Sequence, residues 1–146
     1  MRALGIDLGT KRIGVALANS DGTLATPYEV VARSGDRARD HRAIAALAEE
    51  TGAAILVVGL PLSLDGSSGA AAESARAEAE ELSAAAGLPV ELWDERLTTV
   101  SADRDLMALQ MGAAARRRVV DKVAAAVMLQ AWLDHRRRTP CEDTAR

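Results

Sequence analysis

The chain has 146 residues, a net charge of −3 and 49 % hydrophobic residues, yet only 2 % aromatics and no Phe. That length suits one hydrophobic core, which must be built from Ala, Val, Leu and Ile. With no apolar run long enough for a membrane span, no signal-peptide apolar segment and a single cysteine, the expectation is a cytoplasmic protein without an internal disulfide or a membrane partner.

In chain order, residues 3–9 read as a strand buried on both sides, with Leu4, Ile6 and Leu8 alternating with the small Ala3, Gly5 and Gly9. Asp7 stands in its middle, where an ionised carboxylate is costly without a partner or a cation. The run "KRIGVALANSDG" ends in an Asp-Gly turn and reads as a hairpin partner of that strand. "TLATPYEVVAR" is a third extended run, and Pro27 assigns it to a sheet edge. "DHRAIAALAEETG" is a helix, with Ile44, Leu47 and Ala48 on one face and Gly52 as its stop. "AAILVVG" reads as a strand buried on both faces, and "GLPLSLDGSSG" as a loop. "AAAESARAEAEELSAAAG" is a helix with an acidic outer face, closed by Gly87. "PVELWDER" is a fifth strand. "TTVSADRDLMALQMG" is a helix capped by Thr98 or Thr99 and stopped by Gly112. The last helix is "RRRVVDKVAAAVMLQAWLDHRRR", with Val120, Ala124, Val127 and Ala131 along one stripe. Residues 139–146 are expected to form a disordered tail, where Cys141 is a free thiol or, under oxidation, an interchain link. Neither repeat nor linker divides residues 1–138, so one domain is expected.

Three antiparallel strands followed by alternating helix and strand imply an α/β fold: a mixed five-stranded sheet with helices on both faces. Sites in such sheets lie outside the carboxyl ends of the strands, where Asp7 and Glu95 both fall. The charge is polarised along the chain. Residues 65–95 carry eight acids against Arg76 alone, whereas residues 96–138 carry nine bases against four acids. Such a distribution can steer a polyanion to one face, although solvated charge explains it too.

A third carboxylate, Asp121, opens the last helix. Each of the three has a plain explanation: turn amides for Asp7, a strand-end ion pair with Arg96 or another base for Glu95, the helix dipole for Asp121. One pocket holding all three is the alternative. Clustered carboxylates repel unless a cation lies among them, and an all-oxygen site suits Mg²⁺ or Mn²⁺. The chemistry of such a site is phosphoryl transfer, with activation of water and stabilisation of the leaving oxygen. Other chemistries lack their residues. His41 and His135 are far apart, each among Arg on what reads as a solvated helix face, and there is no zinc spacing, nucleophile elbow, Walker A or dinucleotide fingerprint.

Four stretches in this order, "GIDLGTKRIGVA", "VVGLPLSLDGS", "DERLTT" and "VDKVAAAVMLQAWLD", resemble the YqgF (RuvX) family from Leu4 to Asp134. The resemblance implies a ribonuclease H-like fold. Its members are described as Holliday junction resolvases or as nucleases trimming the 5′ end of pre-16S ribosomal RNA. Carried over residue by residue, it makes Asp7, Glu95 and Asp121 the catalytic and metal-holding residues for one or two Mg²⁺ or Mn²⁺ ions. Lys11, Arg12, Arg96, Arg116, Arg117, Arg118 and Lys122 would then contact phosphates of the nucleic acid, either precursor rRNA or branched or single-stranded DNA. The Arg116–Arg118 run can also be a solvated helix start. Among 18 basic residues Lys11 and Lys122 are the two lysines, and each flanks one of these aspartates. Two other classes compete. "DLGTKRIG" also resembles the phosphate hairpin of sugar kinases and actin-like ATPases, but those need two such lobes. A ribosome-assembly factor that binds RNA without cutting it would have no use for three carboxylates. No heptad seam or aromatic patch marks a dimer interface, so a monomer or weak homodimer is expected.

Overall fold

The computed structural model describes residues 2–9, 11–60, 69–94 and 113–138, with side chains of the last helix described from 123 to 136. Its elements run β1 (Ala3–Leu8), β2 (Arg12–Ala18), β3 (Ala25–Ala32), α1 (Arg37–Thr51), β4 (Ile55–Leu60), α2 (Ala70–Ala86), β5 (Val90–Asp94) and α3 (Ala113–Arg138). The five strands form one sheet in the order β3-β2-β1-β4-β5. β1 is antiparallel to β2 and β2 to β3, while β4 is parallel to both β1 and β5. The mixed five-stranded sheet and the edge position of the Pro27 strand are as the sequence predicts. The helix expected from "TTVSADRDLMALQMG" and the tail lie outside the described residues.

Alternation along the strands splits the core into two layers. Leu4 and Ile6 of β1, Ile13 and Val15 of β2 and Leu56 and Val58 of β4 face α1 and α2, against Ile44, Ala48, Ala79 and Leu82. The opposite face carries Ala3, Ala16, Ala18, Val57 and Trp93, packed against Ala125, Met128, Leu129, Trp132 and Leu133 of α3. Small residues on this face let α3 come close. A Cβ on Gly5 would stand 2.9 Å from Leu129 Cβ and 3.3 Å from the Ala125 carbonyl oxygen, inside van der Waals contact.

The stripe that α3 buries differs from the one expected. Ala124 is buried as predicted, but Val127 and Ala131 are half-buried, and the deepest positions are Ala125, Leu129 and Trp132. The helix is apolar around most of its circumference from Val123 to Leu133, so periodicity alone could not choose its inner side. The two other helix stops, Gly52 and Gly87, adopt the left-handed conformation expected of C-terminal caps. Both tryptophans lie on the α3 side. Trp93 meets His135 edge to face at 5.6 Å, and the Arg136 guanidinium lies 4.8 Å over the Trp132 ring.

α3 runs antiparallel to β1. Near its C-terminal end Gln130 reaches the turn between β2 and β3, accepting from the Ala25 N–H at 2.8 Å and donating to the Thr23 carbonyl at 3.0 Å. That turn lies beside the amino end of β1, because Leu4 pairs with Leu17 and Ala18 with Ala25. The N-terminal half of α3 therefore extends toward the carboxyl end of β1. Replacing Gly5 by Ala should force the helix off the sheet and cost about 1–3 kcal/mol by overpacking. Urea unfolding checks this, and Leu129→Ala should not rescue it, since the clash is with Leu129 Cβ.

Candidate active site at the carboxyl end of β1

Asp7 occupies the central strand of the sheet, half-buried and opposite Gly14 of β2. Its parity with Ala3 and Gly5 puts it on the α3 face. Beyond Leu8 the chain turns sharply into β2. The Gly9 N–H donates to the Arg12 carbonyl at 3.0 Å, and a Cβ at Gly9 would lie 2.4 Å from that same oxygen. Glycine is required here by the closeness of the backbone. The turn carries Lys11, exposed, and ends at Arg12, half-buried at the start of β2.

The other expected site residues fall in two places. Arg116, Arg117, Arg118, Asp121 and Lys122 all lie in the N-terminal half of α3; their side chains are outside the described residues. Asp121 precedes Ala125, the residue whose carbonyl meets Gly5, by one helical turn in the direction of the carboxyl end of β1. Glu95 and Arg96 follow directly on Asp94, the last residue of β5, and are likewise outside the described residues. Among the described residues no three His, Cys, Asp or Glu side chains group closely enough to hold a metal ion.

On the other face of the sheet, the same end carries a charge cluster that the sequence did not announce. Glu78 of α2 is 4 % exposed. Its Oε2 accepts from Arg33 Nη1 at 2.8 Å and its Oε1 from Arg33 Nη2 at 3.0 Å, a bidentate fork. His41 Nε2 donates to Oε2 at 2.8 Å, and Arg37 stands 3.6 Å from Oε1. Arg33 also donates from Nε to the Gly9 carbonyl at 2.7 Å. Burial alone would push the Glu78 carboxyl up, but the hydrogen bonds from Arg33 and His41 outweigh it and hold the pKa down, from 4.5 to about 2. Beside this cluster Asp40, also buried, accepts from the Ser34 hydroxyl at 2.8 Å and the Ser34 N–H at 3.1 Å. A cleft of about 360 Å³, with Leu8, Gly9, Arg33 and Glu78 in its wall, opens between the β1–β2 turn and α2.

The family model described as "RuvX: Holliday junction resolvase" matches residues 1–135. The chain belongs to this family of nucleases. A Myxococcus xanthus protein named "Putative pre-16S rRNA nuclease" is 47 % identical over 137 residues, 94 % of this chain and 90 % of its own. An Anaeromyxobacter protein of the same name is 52 % identical over 136 residues, 93 % of this chain and 98 % of its own. Among solved structures, Thermus thermophilus RuvC in complex with a Holliday junction substrate aligns with a TM-score of 0.61 at 17 % identity. It covers 95 % of this chain and 97 % of that one, and so shows a shared fold. The RuvX resemblance and the ribonuclease H-like architecture expected from the four motifs hold.

Two readings of polar residues do not hold. His41, expected on a solvated face, is 3 % exposed and turned inward onto Glu78. Glu78, expected on the acidic outer face of its helix, is the buried centre of the cluster. Local charge density hid both, because their partners are distant in sequence: Arg33 is 45 residues from Glu78, and Glu78 is 37 from His41. A depressed carboxyl pKa adds stability above the unfolded-state value and loses it as pH falls toward the folded one. Glu78→Gln should therefore cost about 3 kcal/mol at pH 7. In urea unfolding across pH, the difference between wild type and variant should shrink from pH 4.5 down to about 2.

Proposed function

We propose that this RuvX-family nuclease is a divalent-metal-dependent endonuclease, with Asp7, Glu95 and Asp121 as its catalytic carboxylates and the 5′ end of precursor 16S rRNA as its substrate. The observation that carries this reading is the approach of α3 to β1 at Gly5. Asp7 lies two residues beyond Gly5 on the same face of the strand, and Asp121 one helical turn before Ala125, in the same direction. Trp93, two residues before Glu95, belongs to that face as well. The donor chemistry fits a hard cation: three carboxylates offer oxygen ligands alone, as Mg²⁺ and Mn²⁺ prefer. A cation so held supplies acidity for the attacking water and charge for the leaving oxygen. Lys11, Arg12, Arg96 and the bases of α3 at Arg116, Arg117, Arg118 and Lys122 would bind neighbouring phosphates and orient the strand.

The names of the relatives and the β3 edge of the sheet support the RNA substrate. A resolvase must cut two strands symmetrically, which calls for a stable twofold dimer. Along β3 Pro27 has no N–H, the Ala25 N–H is used by Gln130, and the Val30 N–H by the Glu29 carboxylate at 3.0 Å. An edge with its donors so occupied is a poor template for a strand of a second copy. A monomer or weak dimer that trims single-stranded RNA in the cytoplasm fits this; among the described residues no helix is long and apolar enough to cross a membrane.

Asp7→Asn, Glu95→Gln and Asp121→Asn should each nearly abolish cleavage, by roughly a thousandfold or more, while circular dichroism shows a folded chain. Wild-type rates from the Asp121 variant would return that residue to its helix-dipole role. Replacing Arg116, Arg117 and Arg118 together by Ala should lower the salt slope of RNA binding by about one unit for each phosphate no longer neutralised. Light scattering at low micromolar concentration, paired with matched junction and single-strand substrates, decides the substrate. A tight dimer that nicks junctions in symmetric pairs and leaves single strands intact would make the protein a resolvase.

A further inference from the structure

We propose that Arg33 is a positioning residue for the nuclease site, a rigid fork that transmits the fixed position of Glu78 to the β1–β2 turn and so sets where Asp7 and Lys11 stand. This rests on the assignment of Asp7 as a metal-holding carboxylate. Arg33 is the first residue after β3, and it grips the turn at two carbonyl groups. Its main-chain N–H donates to the Lys11 carbonyl at 2.9 Å, and its Nε to the Gly9 carbonyl at 2.7 Å. Nη1 and Nη2 of the same guanidinium each donate to one of the two oxygens of Glu78. A planar guanidinium fixes the direction of its N–H groups, so a carboxylate held on one side dictates where the carbonyl on the other must lie.

An ion pair serving only to join α2 to β3 would need no contact with the turn. Here one edge of the fork is directed at Gly9, two residues beyond Asp7, in a turn already too tight to admit a Cβ. The anchor behind the fork is firm, since Glu78 is buried and also held by His41 at 2.8 Å. A buried pair of this kind is a costly way to gain stability, and its best-attested use is to select one geometry. Among the described residues of the turn, Lys11 is exposed and Gly9 has no side chain. Lysine at position 33 would keep the charge but could not bond Glu78 in two places and Gly9 in a third.

The test uses the full-length protein and measures Mn²⁺ binding by electron paramagnetic resonance alongside kcat and KM on single-stranded RNA. Arg33→Lys should weaken Mn²⁺ binding roughly tenfold or more, the usual effect of losing a residue that orients a metal ligand. It should lower kcat at a fixed Mn²⁺ concentration by more than it raises KM for RNA, because Lys11 is one of seven bases proposed to bind the RNA and the other six lie outside the grip of Arg33. Glu78→Asp keeps the anchor's charge but draws it back by one methylene, and should move Mn²⁺ affinity in the same direction, which keeps the test decisive if Arg33→Lys does not fold. Ile44→Ala, a core change on the α1 side, should lower the melting temperature and leave Mn²⁺ affinity unchanged. Unchanged Mn²⁺ affinity in both Arg33→Lys and Glu78→Asp, or a rise in KM alone, would overturn the positioning role and leave a structural ion pair. A wild-type chain that neither binds Mn²⁺ nor cleaves RNA would instead overturn the nuclease assignment beneath it, which separates the two failures.

Discussion

The close approach of α3 to the central strand governs this fold. β1 can be the middle of the sheet and still carry a carboxylate because its two faces are built differently. Leu4 and Ile6 fill the layer beneath α1 and α2, while Ala3 and Gly5 leave room for a helix backbone. α3 answers with a run of alanines at positions 124–126, and at Gly5 its nearest atoms are the Leu129 Cβ and the Ala125 carbonyl oxygen. Those two atoms keep their places whatever rotamer a side chain adopts, so the contact fixes distance closely. The same geometry fixes which side of the strand Asp7 occupies, and the run of α3 toward the carboxyl end of β1 follows from where Gln130 is tied.

Two carboxylates at one end of the sheet, Glu78 buried and Asp7 half-buried, are met in two ways. Glu78 is neutralised within the protein, by a guanidinium fork and an imidazole that leave both its oxygens occupied. Asp7 lies on the opposite face, where the proposed partner is a cation drawn from solvent. The first arrangement is closed and serves as a fixed point. The second must stay open to a phosphate and to water, and it gains its order from elements packed around it. Arg33 is where the two meet, since it holds the anchor with one edge and the turn after Asp7 with the other.

What could be read from the sequence follows the range of the forces involved. Strands β1 and β4 were legible because alternation and β-branched runs are local, and Asp7 stood out as a charge where the pattern demands an apolar or small residue. The caps at Gly52 and Gly87 were legible for the same reason, each being a property of a few neighbouring residues. The inner side of α3 was not, because a helix apolar on most sides has several equivalent stripes until the sheet chooses one through the space at Gly5. The inward turn of His41 and Glu78 was hidden because each lies among charged neighbours, and what draws them in is a residue far along the chain. Of the proposed site, Asp7 lies on the α3 face of β1 and Asp121 within α3, while the proposal for Glu95 comes from the D-E-R motif alone.

The placing of the aromatic residues gives the chain a built-in optical partition. Its two tryptophans, Trp93 and Trp132, are 7 % and 2 % exposed and both lie in the layer beneath α3, while its one tyrosine, Tyr28, bonds Glu50 of α1 on the other side. Indole emission therefore reports the docking of α3 and is blind to the α1–α2 layer. The Trp132 indole is buried, with the Arg136 guanidinium over its ring and no hydrogen-bond partner for its N–H among the described residues, so loosening of α3 would expose it to water and change its emission. A nucleic acid or cation that tightens α3 against the sheet would be visible in that signal without any label.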